Sequence, residues 1–365
     1  MSIAYTNATI YTGNRVETGK AVLTANNTIV DIIQQDAIPA QYEKIDLKGL
    51  SVAPALIDLQ IYGGNRKLFS EELSIASLEA TYQYCLSGGC TYFMITMATN
   101  TIEKFGRGME VAKAYQEQGG KGLLGLHLEG PYINPVKKGA HLENCIKTPS
   151  AQEINMLLEK GKGIFKMMTL APEQCHTKLI DLLIQEGILV SAGHTNATYK
   201  QATQAFDKGI PLATHLYNAM SPFQHREPGM VGAIFNHPTA QSSIVCDGIH
   251  VNYTAVKIAK QLMKERLFFI TDAVAEAIVG EYKHIYKNDH YDLPDGTLSG
   301  SALTMMQCVK NGVEQVGIPL DEALRMASTY PANFIKDKKL GKIEKGYEAS
   351  MVVFDDTFKV QQTIV

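Results

Sequence analysis

No stretch of the chain holds the roughly 18 consecutive apolar residues that a bilayer-spanning helix needs. The N-terminus lacks the basic and long apolar regions of a secretory leader, so a cytoplasmic location is expected. Paired cysteine motifs are also missing. The six cysteines, at 85, 90, 145, 175, 246 and 308, are scattered and form no CxxC. This argues against a disulfide framework or a zinc ribbon and for free thiols that pack as small hydrophobes. Charge of one sign is not in excess. Lys and Arg total 34 against 37 Asp and Glu, a net charge of −3, which disfavours a nucleic-acid or polybasic membrane surface. No GxGxxG follows the first long apolar run, although Gly63-Gly64 does, so the fingerprint of a dinucleotide fold is absent. There is no internal repeat and no low-complexity tract.

What is present is ordinary globular material, 45% hydrophobic and 19% charged, which excludes a disordered or fibrous chain. A length of 365 residues suggests two domains, or one barrel with a small partner. Eight apolar strand-like runs lie near 52–60, 91–97, 122–129, 165–171, 188–193, 210–215, 243–247 and 267–272. Helical spacing of apolar residues fills several intervals, as at 154–158, 179–184 and 254–262. Eight strands alternating with helices predict an α/β chain folded as a (β/α)8 TIM-type barrel over 52–337. The ends differ. Short β-like runs at 4–11, 21–23 and 28–33 are separated by Gly and Asn turns, and 350–354 reads as another strand. Residues 1–51 and 338–365 are therefore expected to form a small, discontinuous β domain.

In such barrels the active site lies at the C-terminal ends of the strands. The third run ends in Glu129, the fifth in His194, the sixth in His215 and the eighth in Asp272, while the seventh leads through Asp247 to His250. A lone histidine at a strand end is more often a hydrogen-bonded structural residue than a ligand. Polar groups closing five strands on one rim are a different matter. Glu129, His194 and His215 make a His2Glu set, the usual complement of a catalytic zinc, with iron(II), cobalt or manganese also suited. Such an ion polarises a carbonyl and acidifies water. Asp272 is then placed as the general base that later protonates a leaving amine. His127, two residues before Glu129, shares its face by strand alternation and is expected behind the ligands. His176, His237, His284 and His290 sit in polar segments and read as surface residues.

The motifs around these residues carry a resemblance. His127-Leu128-Glu129-Gly130-Pro131, Gly193-His194-Thr195-Asn196-Ala197-Thr198, Thr214-His215-Leu216-Tyr217-Asn218-Ala219-Met220, Arg226-Glu227-Pro228-Gly229, Asp247-Gly248-Ile249-His250-Val251, Thr271-Asp272-Ala273 and Leu298-Ser299-Gly300-Ser301-Ala302-Leu303-Thr304-Met305 run in order along the chain. In this the sequence resembles the N-acetylglucosamine-6-phosphate deacetylases of the amidohydrolase superfamily. The resemblance implies a metal-dependent hydrolase that frees acetate from N-acetylglucosamine 6-phosphate, and a homodimer. It assigns Glu129, His194 and His215 to one divalent ion and Asp272 to acid/base catalysis. His141 would polarise the acetamide carbonyl. Asn218, Ala219, Arg226 and His250 would surround the sugar phosphate, and Leu298 and Ser299 would line the site near the acetamide. Two departures stand out. Gln60 and Tyr62 occupy the places of a His-x-His pair that binds a second metal in many superfamily members, so one metal is predicted. Glu276 adds a carboxylate near the mouth, which bears on sugar preference. The alternatives are the same chemistry on N-acetylgalactosamine 6-phosphate or another N-acyl substrate, and a non-catalytic binding protein on the same barrel.

Overall fold

Strands buried on both faces read as continuous apolar runs, and the runs found in the sequence become eight strands. They are β1 (Leu56–Ile61), β2 (Cys90–Ala98), β3 (Leu123–Glu129), β4 (Phe165–Leu170), β5 (Leu189–Ala192), β6 (Leu212–Ala213), β7 (Gln241–Val245) and β8 (Leu267–Ile270). Every residue of β1 and β8 is buried. The computed structural model describes residues 2–278 and 280–365. In it the eight strands lie in chain order within one sheet, and neighbours from β2 to β8 pair in parallel. The sheet returns on itself just past its last strand. Asp272 N–H donates to Gln60 O at 3.0 Å, and Tyr62 N–H donates to Ala273 O at 2.9 Å. This is the predicted barrel.

The intervening helices start on side-chain caps. Thr101 accepts from Lys104 N–H before the helix Ile102–Glu117, and Thr198 with Gln201 forms a reciprocal capping box before Tyr199–Asp207. Among the described residues no helix is long and apolar enough to cross a membrane.

The chain divides into two compact units. One comprises residues 59–84 and 93–303 and contains the barrel mouth. The other comprises 1–58, 85–92 and 304–365. In it, both chain ends build strands. Met351–Phe354 pairs antiparallel with Ser51–Pro54, in the register Met351 to Pro54 and Phe354 to Ser51. Ser51–Pro54 pairs in turn with Thr9–Tyr11. A second sheet runs Thr28–Gln34, Lys20–Ala25, Ser2–Thr6, Glu43–Asp46. Tyr5, Ile10, Val22, Ile29, Val52, Met351 and Val353 share one apolar core. The small β domain built from both ends is thus present, and this unit also carries the helices Met305–Asn311, Leu320–Ala327 and Thr329–Phe334.

Inside the barrel, alternation along β3 turns His127 and Glu129 inward together. His127 Nε2 lies 2.7 Å from Thr169 Oγ1, which lies 2.8 Å from Thr214 Oγ1, itself 2.5 Å from Ser191 Oγ. This buried polar layer is fully hydrogen-bonded, and burial pushes the His127 ring down to about 4, keeping it neutral. After β3 the chain turns at Gly130, whose φ is +88°. A Cβ there would stand 2.0 Å from Thr99 Oγ1, the atom 2.6 Å from His141 Nδ1. Gly130→Ala is therefore predicted to destabilise the protein by about 1–3 kcal/mol, read from the denaturant midpoint, through backbone strain and displacement of Thr99.

Candidate active site

The four strand-end residues reach one point because β3, β5, β6 and β8 all stop at the same rim. Glu129 is the last residue of β3, and His194, His215 and Asp272 stand two residues past β5, β6 and β8. These three occupy the left-handed region, with φ of 46°, 34° and 55°. Non-glycine residues pay for this conformation with about 1 kcal/mol or more, and such outliers gather at functional sites. Here the turn swings each side chain from the strand direction into the mouth.

Three ligand atoms converge. Glu129 Oε1 is 3.1 Å from His215 Nε2 and 3.4 Å from His194 Nε2, and the two Nε2 atoms are 3.1 Å apart. Ligands of a tetrahedral zinc lie about 3.3 Å from one another, given metal–ligand distances of about 2.0–2.1 Å. A carboxylate oxygen and two imidazole nitrogens at this spacing fit a divalent ion. Glu129, His141 and His194 also bring ligand atoms within 4.8 Å of one another. Hydrogen bonding separates the histidines. His194 Nδ1 lies 2.9 Å from the carbonyl oxygen of Lys137, so it carries the proton and leaves Nε2 with a lone pair. His141 is the reverse. Thr99 N–H donates to its Nδ1 at 3.2 Å, which places the proton on Nε2, 3.2 Å from Glu129 Oε2. His141 thus offers a donor, and His194 a ligand.

The other groups hold Glu129. Its Oε2 accepts from Tyr62 O–H as well as from His141, and Oε1 accepts from Gln60 Nε2 at 3.1 Å. Gln60 Nε2 also donates to Asp272 Oδ1 at 2.7 Å and lies 2.9 Å from Tyr62 Oη. Burial alone would raise the Glu129 carboxyl, but the neighbouring His194, His141 and His215 rings hold it well below the usual range. Asp272 goes the other way. Burial raises it, with Glu129 adding to the rise and the positive potential of His215 opposing it. Burial depresses His141 to about 4, so its ring is neutral. Burial works against charge on His215 too, yet hydrogen bonding to Glu129 raises it.

The cluster opens into a cavity at the barrel mouth. Its wall includes His141, Asn218, Ala219, His250, Leu298 and Ser299 as well as Glu129, His194, His215 and Asp272. His250 is fixed by Asp247, whose Oδ2 lies 2.5 Å from its Nδ1. Arg226 stands exposed and does not line the cavity, and Glu276 is likewise exposed and off the wall. One reading is corrected. His284 is not a surface residue: it is 4% exposed and lines the cavity. The polar segment that carries it folds back, with Ala277 N–H donating to His284 O at 3.1 Å, a long-range closure that local polarity does not signal. Tyr282, Leu68 and Val274 also line the cavity and were not singled out from the sequence. Gln60 and Tyr62, noted there only as missing ligands, are hydrogen-bond donors to the carboxylates.

A parallel barrel with a His2Glu cluster and an aspartate at its C-terminal mouth defines a metal-dependent hydrolase fold. The chain belongs to the amidohydrolase family, whose model matches residues 51–365, and the NagA composite domain model matches residues 3–52. It is 37% identical over 377 residues to the N-acetylglucosamine-6-phosphate deacetylase of Haemophilus influenzae, covering 100% of this chain and 98% of that one. The crystal structure of N-acetylglucosamine-6-phosphate deacetylase from Pasteurella multocida superposes with a TM-score of 0.96 at 37% identity, covering 100% and 98% of the two chains. A mutant of the Mycobacterium smegmatis N-acetyl-D-glucosamine-6-phosphate deacetylase, in complex with N-acetyl-D-glucosamine-6-phosphate, matches with a TM-score of 0.90 at 27% identity, covering 100% and 97%.

The tautomers of His141 and His194, and the place of His215 Nε2 3.1 Å from both Glu129 Oε1 and His194 Nε2, predict which histidines hold the ion. After dialysis against a weak chelator, His194→Ala and His215→Ala should each lose bound divalent metal, with affinity falling about tenfold or more. His141→Ala should keep it. Elemental analysis of the three variants checks this.

Proposed function

We propose that this chain removes the N-acetyl group of N-acetylglucosamine 6-phosphate, giving glucosamine 6-phosphate and acetate, as a hydrolase of a linear amide C–N bond. The observation that carries the reading is the meeting of Glu129 Oε1, His194 Nε2 and His215 Nε2 within 3.4 Å, beside Asp272 in one cavity. Glu129, His194 and His215 hold one divalent ion, zinc, which when bound supplies Lewis acidity. Gln60 and Tyr62 donate hydrogen bonds where a second ion would need ligands, which supports a single one.

Asp272 takes a proton from the attacking water. Its oxygen Oδ1 is aimed by Gln60, so the carboxylate needs no reorientation as the reaction proceeds. The His141 Nε2–H, which lies against Glu129 Oε2, is drawn to the acetamide carbonyl when the sugar binds, where negative charge develops as water adds to the carbonyl carbon. Asp272 then gives its proton to the nitrogen as the C–N bond breaks. Asn218, Ala219 and His250 hold the sugar phosphate, and Leu298 and Ser299 lie against the acetamide. Arg226, exposed in a single chain, meets the phosphate in a cytoplasmic homodimer, where its planar guanidinium can grip the dianion. The catalytic barrel is assigned to 52–337 and the small β domain to 1–51 with 338–365.

An acetate-release assay with N-acetylglucosamine 6-phosphate, its galactosamine epimer and the unphosphorylated sugars tests the reading. Turnover of the first is expected, and absence of turnover on all four contradicts it. Asp272→Asn should lower kcat by about 10²–10⁴-fold while leaving metal content unchanged. Arg226→Ala should raise KM about tenfold or more for phosphorylated sugars and leave the free sugars nearly unaffected.

A further inference from the structure

The segment after β8 forms a three-stranded antiparallel sheet from Ile285–Tyr286, His290–Asp292 and Leu298–Ser301. His284 stands immediately before it and is held from several sides. Its ring lies nearly parallel to that of Tyr282, at 6.0 Å and 10°, and meets Tyr291 edge-on, at 6.5 Å and 82°. Its Nδ1 is 2.9 Å from Ser299 Oγ. Ser299 in turn donates its hydroxyl to the Tyr291 carbonyl at 3.1 Å.

This chain of bonds fixes the tautomer. A hydroxyl has one proton to give, and Ser299 gives it to the carbonyl. Toward His284 the serine can then only accept, so the imidazole carries its proton on Nδ1. Burial pushes the ring down to about 4, so it is neutral at neutral pH. A neutral ring protonated on Nδ1 presents Nε2 as an acceptor. Among the described residues no donor reaches that atom, although the side chain is 4% exposed and lines the cavity. An acceptor in the wall of the cavity, with no protein donor, is satisfied by what enters the cavity.

We propose that His284 Nε2 accepts a hydrogen bond from a ring hydroxyl of the bound hexosamine, which makes His284 a specificity-determining residue. The proposal rests on the reading of the cavity as a hexosamine phosphate site. Glu129, His194, His215, Asp272 and His141 serve the acetamide end of the cavity, while His284 reads the sugar ring. A site built to hydrogen-bond a substrate hydroxyl rejects the analogue that lacks it far better than an apolar wall does.

The test is a cycle between residue and hydroxyl, using N-acetylglucosamine 6-phosphate and its 3-deoxy and 4-deoxy analogues. Wild type should lose about 10- to 100-fold in kcat/KM on one of the two analogues. His284→Phe keeps a ring beside Tyr282 and removes the acceptor. It should lose about 10- to 100-fold on the parent substrate and lose most of the discrimination against that same analogue. His284→Gln, whose amide oxygen can accept, should restore part of it. Should melting temperatures show that the Phe variant does not fold, His284→Leu is read in the same way. A variant lacking the acceptor that discriminates against both analogues as strongly as wild type overturns the proposal. Wild type inactive on the parent sugar would instead overturn the reading of the site, so the two failures are distinct.

Discussion

A carboxylate sealed from water is the constraint around which the barrel mouth is arranged. Glu129 is 1% exposed. A lone buried carboxylate would cost several kcal/mol and would neutralise instead. Here every direction is answered. Tyr62 and His141 saturate one oxygen, and Gln60, His194 and His215 crowd the other. The asymmetry is the functional point. One oxygen is anchored by protein donors, and the other is turned toward two ring nitrogens, where a cation completes the set. Asp272 joins this network through Gln60, so the ligand carboxylate and the proposed proton carrier are positioned by one amide.

The closure of the barrel makes that possible. Gln60 and Tyr62 belong to the first strand and its exit, and Asp272 to the exit of the last. The pair of backbone hydrogen bonds between Gln60, Tyr62, Asp272 and Ala273 sets them side by side. A residue that reads in sequence as a ligand lost is, in space, a brace. The left-handed turns at His194, His215 and Asp272 show the same economy: local backbone strain is accepted where it aims a functional side chain, and the surrounding strands hold it in place.

Much of this was legible beforehand because parallel barrels write themselves plainly. Wholly buried strands give unbroken apolar runs, and polar residues ending such runs mark one rim, so Glu129, His194, His215 and Asp272 could be named together. Alternation placed His127 with Glu129. What failed to show was whatever depends on distant closure. Nothing near His284 in sequence reveals that the segment 280–301 folds back to bury it, since its partners Ser299 and Tyr291 come from later strands. The pairing of 351–354 with 51–54 was open as a possibility, but its register depends on contacts across 300 residues. The tautomers of His141 and His194, set by Thr99 and Lys137, likewise come from contacts that spacing along the chain does not encode.

The direct trial of the central claim is an anomalous-scattering map of crystals loaded with zinc and collected on both sides of its absorption edge. A single peak per chain is predicted, bonded by Glu129 Oε1, His194 Nε2 and His215 Nε2 at about 2.0–2.2 Å, with Gln60 and Tyr62 outside the coordination sphere. A peak that engages His141 in place of His215, a second peak at Gln60 and Tyr62, or none in the mouth would contradict it.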